Sequence, residues 1–172
     1  MGLLFILISM ATQASHAMAQ TLPERKALDV GTIKLIQAVK KNDWRSVFDM
    51  MPPDLLKHLR VTRAQMLALA ETPQFKKTTA AMQLLSHEKP TPILREQGVW
   101  ASVIRTEMRL KLENSRLRVS GAMLALSKDE GKSWYFMNMS KNDKDKLKGY
   151  LPKTLLAKLD KHFGVTVKEE TP

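Results

Sequence analysis

Apolar residues along this chain keep helical spacing in its first half, switch to alternation in the middle, and return to helical spacing near the end. Ile33, Leu35, Ile36 and Val39 form one stripe, and Trp44, Val47, Phe48 and Met51 follow at the spacing i, i+3, i+4, i+7 that marks a buried helix face. Asn42 stands between the two stripes where an N-cap is needed. Pro52-Pro53 ends that stretch and opens another, with Leu55, Leu56 and Leu59 on its buried side, because a proline at the first helical position loses no hydrogen bond. Thr62 and Gln65 have capping-box spacing ahead of Met66, Leu67 and Leu69, and Thr72-Pro73 repeats the start signal.

Over residues 99–113 the period becomes two. Trp100, Ile104, Met108, Leu110 and Leu112 alternate with Arg105, Glu107, Arg109 and Lys111, as in a strand with one buried face. A turn at Asn114-Ser115 sets a second strand, residues 116–126, with Leu112 opposite Leu117, Leu110 opposite Val119 and Ile104 opposite Ala125. A turn over residues 128–131, closed by Ser127 opposite Lys132, adds a third strand with Trp134 opposite Ala125 and Phe136 opposite Met123. All these apolar partners fall on one face. Leu147, Leu151, Leu155, Leu156, Leu159 and Phe163 then make a helical tail interrupted by Pro152. The pattern predicts one α+β domain over residues 20–172, with N-terminal helices packed on a curved antiparallel meander and a short C-terminal helix.

The outer face of the meander is divided. Near the first turn it carries a basic stripe of Arg105, Arg109, Lys111 and Arg118, with Glu107 and Glu113 as partial counterions. Farther along, Ala122, Leu124, Leu126, Tyr135 and Met137 are apolar where alternation calls for polar residues. Either the chain's own Leu155, Leu156 and Leu159 cover that patch, or a second copy does so in a homodimer through the sheet.

Residues 1–19 contain no Lys, Arg, Asp or Glu, run apolar over residues 3–10, and close on Ala17-Met18-Ala19, the small-x-small pattern that a signal peptidase cuts. Cleavage after Ala19 and a periplasmic or secreted mature chain are expected. No later stretch reaches the roughly 20 apolar residues of a membrane span, so no transmembrane segment is expected after cleavage. The 172 residues include no Cys, which excludes disulfides, thiolate metal sites and thiol nucleophiles. His58 and His87 sit at no ligand spacing, and no metal or cofactor is expected. A net charge of +11 favours anionic partners. Nucleic acid is not expected among them, because no exposed aromatics are interleaved with the basic stripe to stack bases and export removes the opportunity.

Helices first, then a meander whose last hairpin reads Ser127-Lys-Asp-Glu-Gly-Lys-Ser-Trp-Tyr-Phe136, then Tyr150-Leu151-Pro152 in the tail: this resembles the nuclear transport factor 2-like superfamily, in particular its exported bacterial members. The resemblance implies a cone-shaped fold with a pocket between the helices and the concave sheet. Here its lining would be Trp100, Ile104, Thr106, Met108, Met123, Trp134, Phe136 and Asn138. Enzymes of this fold place an Asp, His or Tyr inside the cone, and the inner face of this chain offers no Asp to abstract a proton. The expectation is therefore an exported binding or accessory protein without catalytic residues. The alternatives are an enzyme that uses the cone pocket on a small molecule, and a peripheral module that binds anionic envelope surfaces through the basic stripe.

Overall fold

The computed structural model describes residues 23–113 and 115–170. The leader expected in residues 1–19, its cleavage after Ala19, and Asn114 of the expected first turn lie outside the described residues. The chain begins with helices α1 (Pro23–Lys40), α2 (Trp44–Asp49), α3 (Pro53–His58), α4 (Arg63–Glu71) and α5 (Pro73–Ala80). Asp43, not Asn42, caps α2: its Oδ1 accepts the Ser46 N–H at 3.1 Å, while Asn42 turns the chain at φ 53°. Thr62 and Gln65 make the reciprocal capping box of α4, and Thr72 caps α5.

An open antiparallel sheet of six strands follows. Its strands are β1 (Met82–His87), β2 (Leu94–Glu96), β3 (Val99–Lys111), β4 (Arg116–Ser127), β5 (Tyr135–Asn138) and β6 (Thr166–Glu170). Helices α6 (Lys141–Lys146) and α7 (Lys153–Leu159) and a 3-10 turn (Asp160–His162) lie between β5 and β6. The long β3–β4 hairpin is the centre. Strands β2 and β1 share the free edge of β3, while β5 and β6 share that of β4. The expected meander is β3, β4 and β5; β1, β2 and β6 were not foreseen in the alternation pattern.

The hairpin register differs from the expected one by two residues. Ile104 lies opposite Met123, Met108 opposite Val119 and Leu110 opposite Leu117, and the Leu112 N–H donates to the Ser115 carbonyl at 2.9 Å. A slip of two returns each side chain to its own face, so the division of inner and outer faces is the same in both registers. In the last hairpin Phe136 lies opposite Ala125 and Asn138 opposite Met123. The turn there is longer than four residues: Ser127 Oγ accepts the Gly131 N–H at 2.8 Å, and Asp129 Oδ1 accepts the Ser133 N–H at 2.9 Å. Gly131 has φ 82°, and a β-carbon on it would lie 2.9 Å from the Trp100 ring, so glycine is required there on two grounds.

Both faces of the sheet are covered at the β5 end. On the inner face α1 lays Leu28 and Leu35 against Ile104, Ala125, Trp134 and Phe136. Gly31 permits the close approach, since a β-carbon there would stand 3.0 Å from the Phe136 ring. On the outer face Leu55 of α3 and Leu155, Leu156 and Leu159 of α7 cover Ala101, Val103, Ala122, Leu124 and Leu126. Leu124 and Leu126 are 0% and 2% exposed. Of the two covers the sequence allowed for this patch, the chain's own tail is the one seen, and a homodimer through the outer sheet face has no support. Among the described residues no helix is long and apolar enough to cross a membrane.

Candidate functional site

A cavity of about 290 Å³ lies between α1, α2 and the inner face of the sheet. Its walls are Leu35, Ile36 and Val39 of α1, Trp44, Val47 and Phe48 of α2, and residues of β1, β3, β4 and β5. The tie that seats the helices is a backbone bond: the Phe136 N–H of β5 donates to the Met50 carbonyl at 2.7 Å, just past α2. Of the residues expected to line a pocket, Thr106, Met108, Met123, Phe136 and Asn138 do so. Ile104 is sealed at 0% exposure in the core beneath α1, and Trp134 is buried beside it. Trp100 lies outside the cavity with the Arg95 guanidinium 4.3 Å over its ring. These corrections follow from the cavity lying toward the β1 side of the inner face, where Met82 and Leu84 form part of its wall.

Sequence reasoning missed the contribution of β1, Met82 and Leu84, and of Met51 and Met137. Met51, Met82, Met108 and Met123 therefore share this lining, while Met137, opposite Leu124, borders the cavity but packs on the outer-face cluster. Unbranched thioether side chains adapt their shape to what they contact. Trp44 adds a polar feature: its Nε1 is buried and has no hydrogen-bond partner. The indole is fixed edge-on against Phe75, ring centres 5.3 Å apart. Among the described residues no acidic, basic or histidine side chain lines the cavity.

The basic stripe is largely neutralised from within. Arg109 and Arg118 are direct cross-strand partners, an arrangement of like charges that is destabilising on its own. Strand β6 brings Glu170 between them: its carboxylate accepts from Arg109 at 2.6 and 3.1 Å and from Arg118 at 3.1 Å. Arg118 also reaches Glu107 at 3.4 Å. Of the four stripe residues, Lys111 is exposed at the hairpin tip, and Arg105 lies apart at the other end, opposite Ala122. Arg109 and Arg118 of the stripe are thus paired with carboxylates, while Arg105 and Lys111 form no ion pair among the described residues.

The Arg109 hydrogen bond, against the opposing effect of burial and with help from Arg118, pulls the Glu170 carboxyl from 4.5 down to about 2. A group whose pKa is lowered by folding stabilises fully above its ordinary pKa and loses that contribution as pH falls through the folded value. The β6 clasp is therefore expected to hold above pH 4.5 and to release as pH falls towards 2. Amide NMR should show Val167 losing its folded shift in that window before Val103 does. In Glu170→Gln the release should no longer follow this titration.

A third cluster joins α3, the last hairpin and the tail. Asp54 accepts the Tyr150 hydroxyl at 2.8 Å and pairs with Lys128, whose ammonium lies 4.1 Å over the Tyr150 ring. Burial alone would raise the Asp54 pKa, but the hydrogen bonds from Lys128 and Tyr150 outweigh it and hold the carboxyl below its usual range. Burial, then the bond to Asp54, pushes the Tyr150 phenol up. Donor and acceptor are thereby fixed in their roles, as a clamp requires and a proton shuttle does not. His58 belongs to the same clamp, its ring 5.6 Å from that of Tyr150 and its Nε2 3.1 Å from the Lys146 carbonyl. Among the described residues no group of His, Asp and Glu is arranged to hold a metal ion.

No protein-family profile, curated protein or solved structure matches this chain.

Proposed function

We propose that this chain is an exported, non-catalytic binding protein of cone-shaped, nuclear transport factor 2-like architecture, which holds a small apolar molecule between α1, α2 and the concave sheet. The observation that carries the reading is the lining of the cavity: hydrocarbon and thioether almost throughout, with Thr106, Asn138 and the Trp44 indole as its polar groups. At about 290 Å³ it lies near the lower end of the usual range for ligand cavities, roughly 300 Å³ upwards. Among the described residues no charged side chain stands in the wall, so a charged ligand would lose hydration without compensation and a neutral one is favoured. Thr106 and Asn138 supply the polar side chains that would orient a ligand in the cavity. Catalysis in the cavity is disfavoured because its wall supplies no acid, base or nucleophile.

Export rests on the leader pattern of residues 1–19, and mass spectrometry of the mature protein should find Gln20 first. For the cavity, the test is a titration with an apolar fluorescent probe such as anilinonaphthalene, followed through the probe's own emission. Met108→Trp and Met123→Trp each fill the cavity and are expected to weaken the probe at least about tenfold, a change of roughly 1.4 kcal/mol. Unchanged probe affinity in both folded variants would remove the cavity from consideration.

A further inference from the structure

On the opposite face of the sheet from the cavity, a polar groove of about 430 Å³ opens where β5 leaves the β4 edge and β6 joins it. Strand β5 pairs with β4 over Met123–Leu126 and β6 over Arg116–Ser120, so the seam falls at Gly121 and Ala122. Arg105 reaches the groove from β3, while Lys161 and His162 come from the turn after α7. Ser120, Gly164 and Thr166 complete the part of the wall used here. Two cationic side chains and a histidine thus line one groove, and among the described residues no Asp or Glu lines it.

One carboxylate borders the groove: Glu107 stands opposite Ser120 across the β3–β4 ladder. Glu107 pairs with Arg118, and Asp160, next to Lys161 in sequence, pairs with Lys144. Among the described residues neither Arg105, Lys161 nor His162 forms an ion pair. The His162 imidazole is held below its ordinary pKa by burial first and then by Lys161 and Arg105. The charged groups facing it are those two cations, one from β3 and one from its own turn. A groove lined by two unpaired cations and a histidine, with two hydroxyls in its wall, has the composition of an oxyanion site.

We propose that this groove binds a phosphate group, with the Arg105 guanidinium as its fork, Lys161 and His162 as further donors, and the Ser120 and Thr166 hydroxyls completing the set. The planar guanidinium suits two oxygens of one phosphate at once, and Lys161 serves as a point charge beside it. The phosphate belongs either to a soluble ester or to a lipid headgroup, and the chemistry of the groove is common to both. The proposal is independent of the apolar cavity and stands or falls without it.

The wild-type chain is titrated with inorganic phosphate, with glycerol phosphate and with sulfate as an isosteric probe, and amide NMR locates the response. Shifts confined to Ser120, Gly164 and Thr166 are expected. Sulfate should also raise the titration midpoint of His162, because a bound anion favours the imidazolium. Arg105→Gln and Lys161→Gln should each weaken phosphate by about fivefold to tenfold, as loss of an exposed charge-assisted hydrogen bond does. Lys34→Gln, an exposed change on the inner-face helix α1, should leave it unaltered. Co-sedimentation with phosphatidylglycerol vesicles, against neutral phosphatidylcholine vesicles, gives the second arm. Vesicle binding lost in Arg105→Gln assigns the phosphate to a lipid headgroup, while glycerol phosphate binding without vesicle binding assigns it to a soluble ester. Absence of any localised shift in wild type, or an equal loss in Lys34→Gln, would overturn the site and leave only the diffuse effect of the +11 charge.

Discussion

Leu159→Asp is expected to leave no folded protein. Leu159 is 0% exposed and packs with Leu155, Leu156 and the outer-face residues Leu124 and Leu126. An unpaired carboxylate at that position costs several kcal/mol even after its pKa adjusts, against a total stability of about 5–15 kcal/mol for a typical domain. The milder Leu159→Ala should cost about 2–5 kcal/mol, the usual range for a fully buried leucine. Circular dichroism with denaturant, paired with sedimentation, reads both effects. If instead a second copy covered the outer face, Leu159→Asp would stay folded and change only its oligomeric state.

The second large effect belongs to the inner face. Trp134→Ala should destabilise by about 3–5 kcal/mol, because the ring fills the space between Ile104, Ala125 and α1. Trp134→Phe should cost much less: the Trp134 Nε1 is buried without a hydrogen-bond partner, so its removal offsets part of the lost contact. The neighbouring Tyr135 is half-buried, and its ring is not part of this cluster. A chemical denaturation curve for Trp134→Ala within about 1 kcal/mol of wild type, a size typical of surface positions, would contradict the inner-face core.

Periodicity made the long strands legible and left the short ones invisible. Strands β3 and β4 carry enough alternating residues to declare both faces, and a two-residue error in register leaves the division of faces unchanged because side chains repeat every two positions. Strand β1 reads Met-Gln-Leu-Leu-Ser-His, with no β-branched residue and a bulge between Leu84 and Ser86, so its sequence carries little alternation. Strand β6 buries almost nothing; backbone bonds and Glu170 hold it, and neither leaves a hydrophobic trace. That strand also explains the fate of the basic stripe. The spacing of Arg109 and Arg118 placed them together, but no local rule brings a carboxylate from the far end of the chain between them. The cavity was legible in its β3–β5 wall and not in its β1 wall, and the anion groove depends on a seam between two strands of which only one was foreseen.

The division of the β4 edge between β5 and β6 has a bearing on how the chain emerges during synthesis. A nascent chain that has reached residue 140 already holds β1 to β5, but the edge of β4 over Arg116–Ser120 and the apolar outer face both await the last thirty or so residues. An open strand edge beside an uncovered apolar surface is a template for intermolecular pairing. Until α7 docks and β6 closes the edge, each copy of the chain is therefore its neighbour's most available partner, and proteolytic clipping within the tail would return a folded molecule to that state.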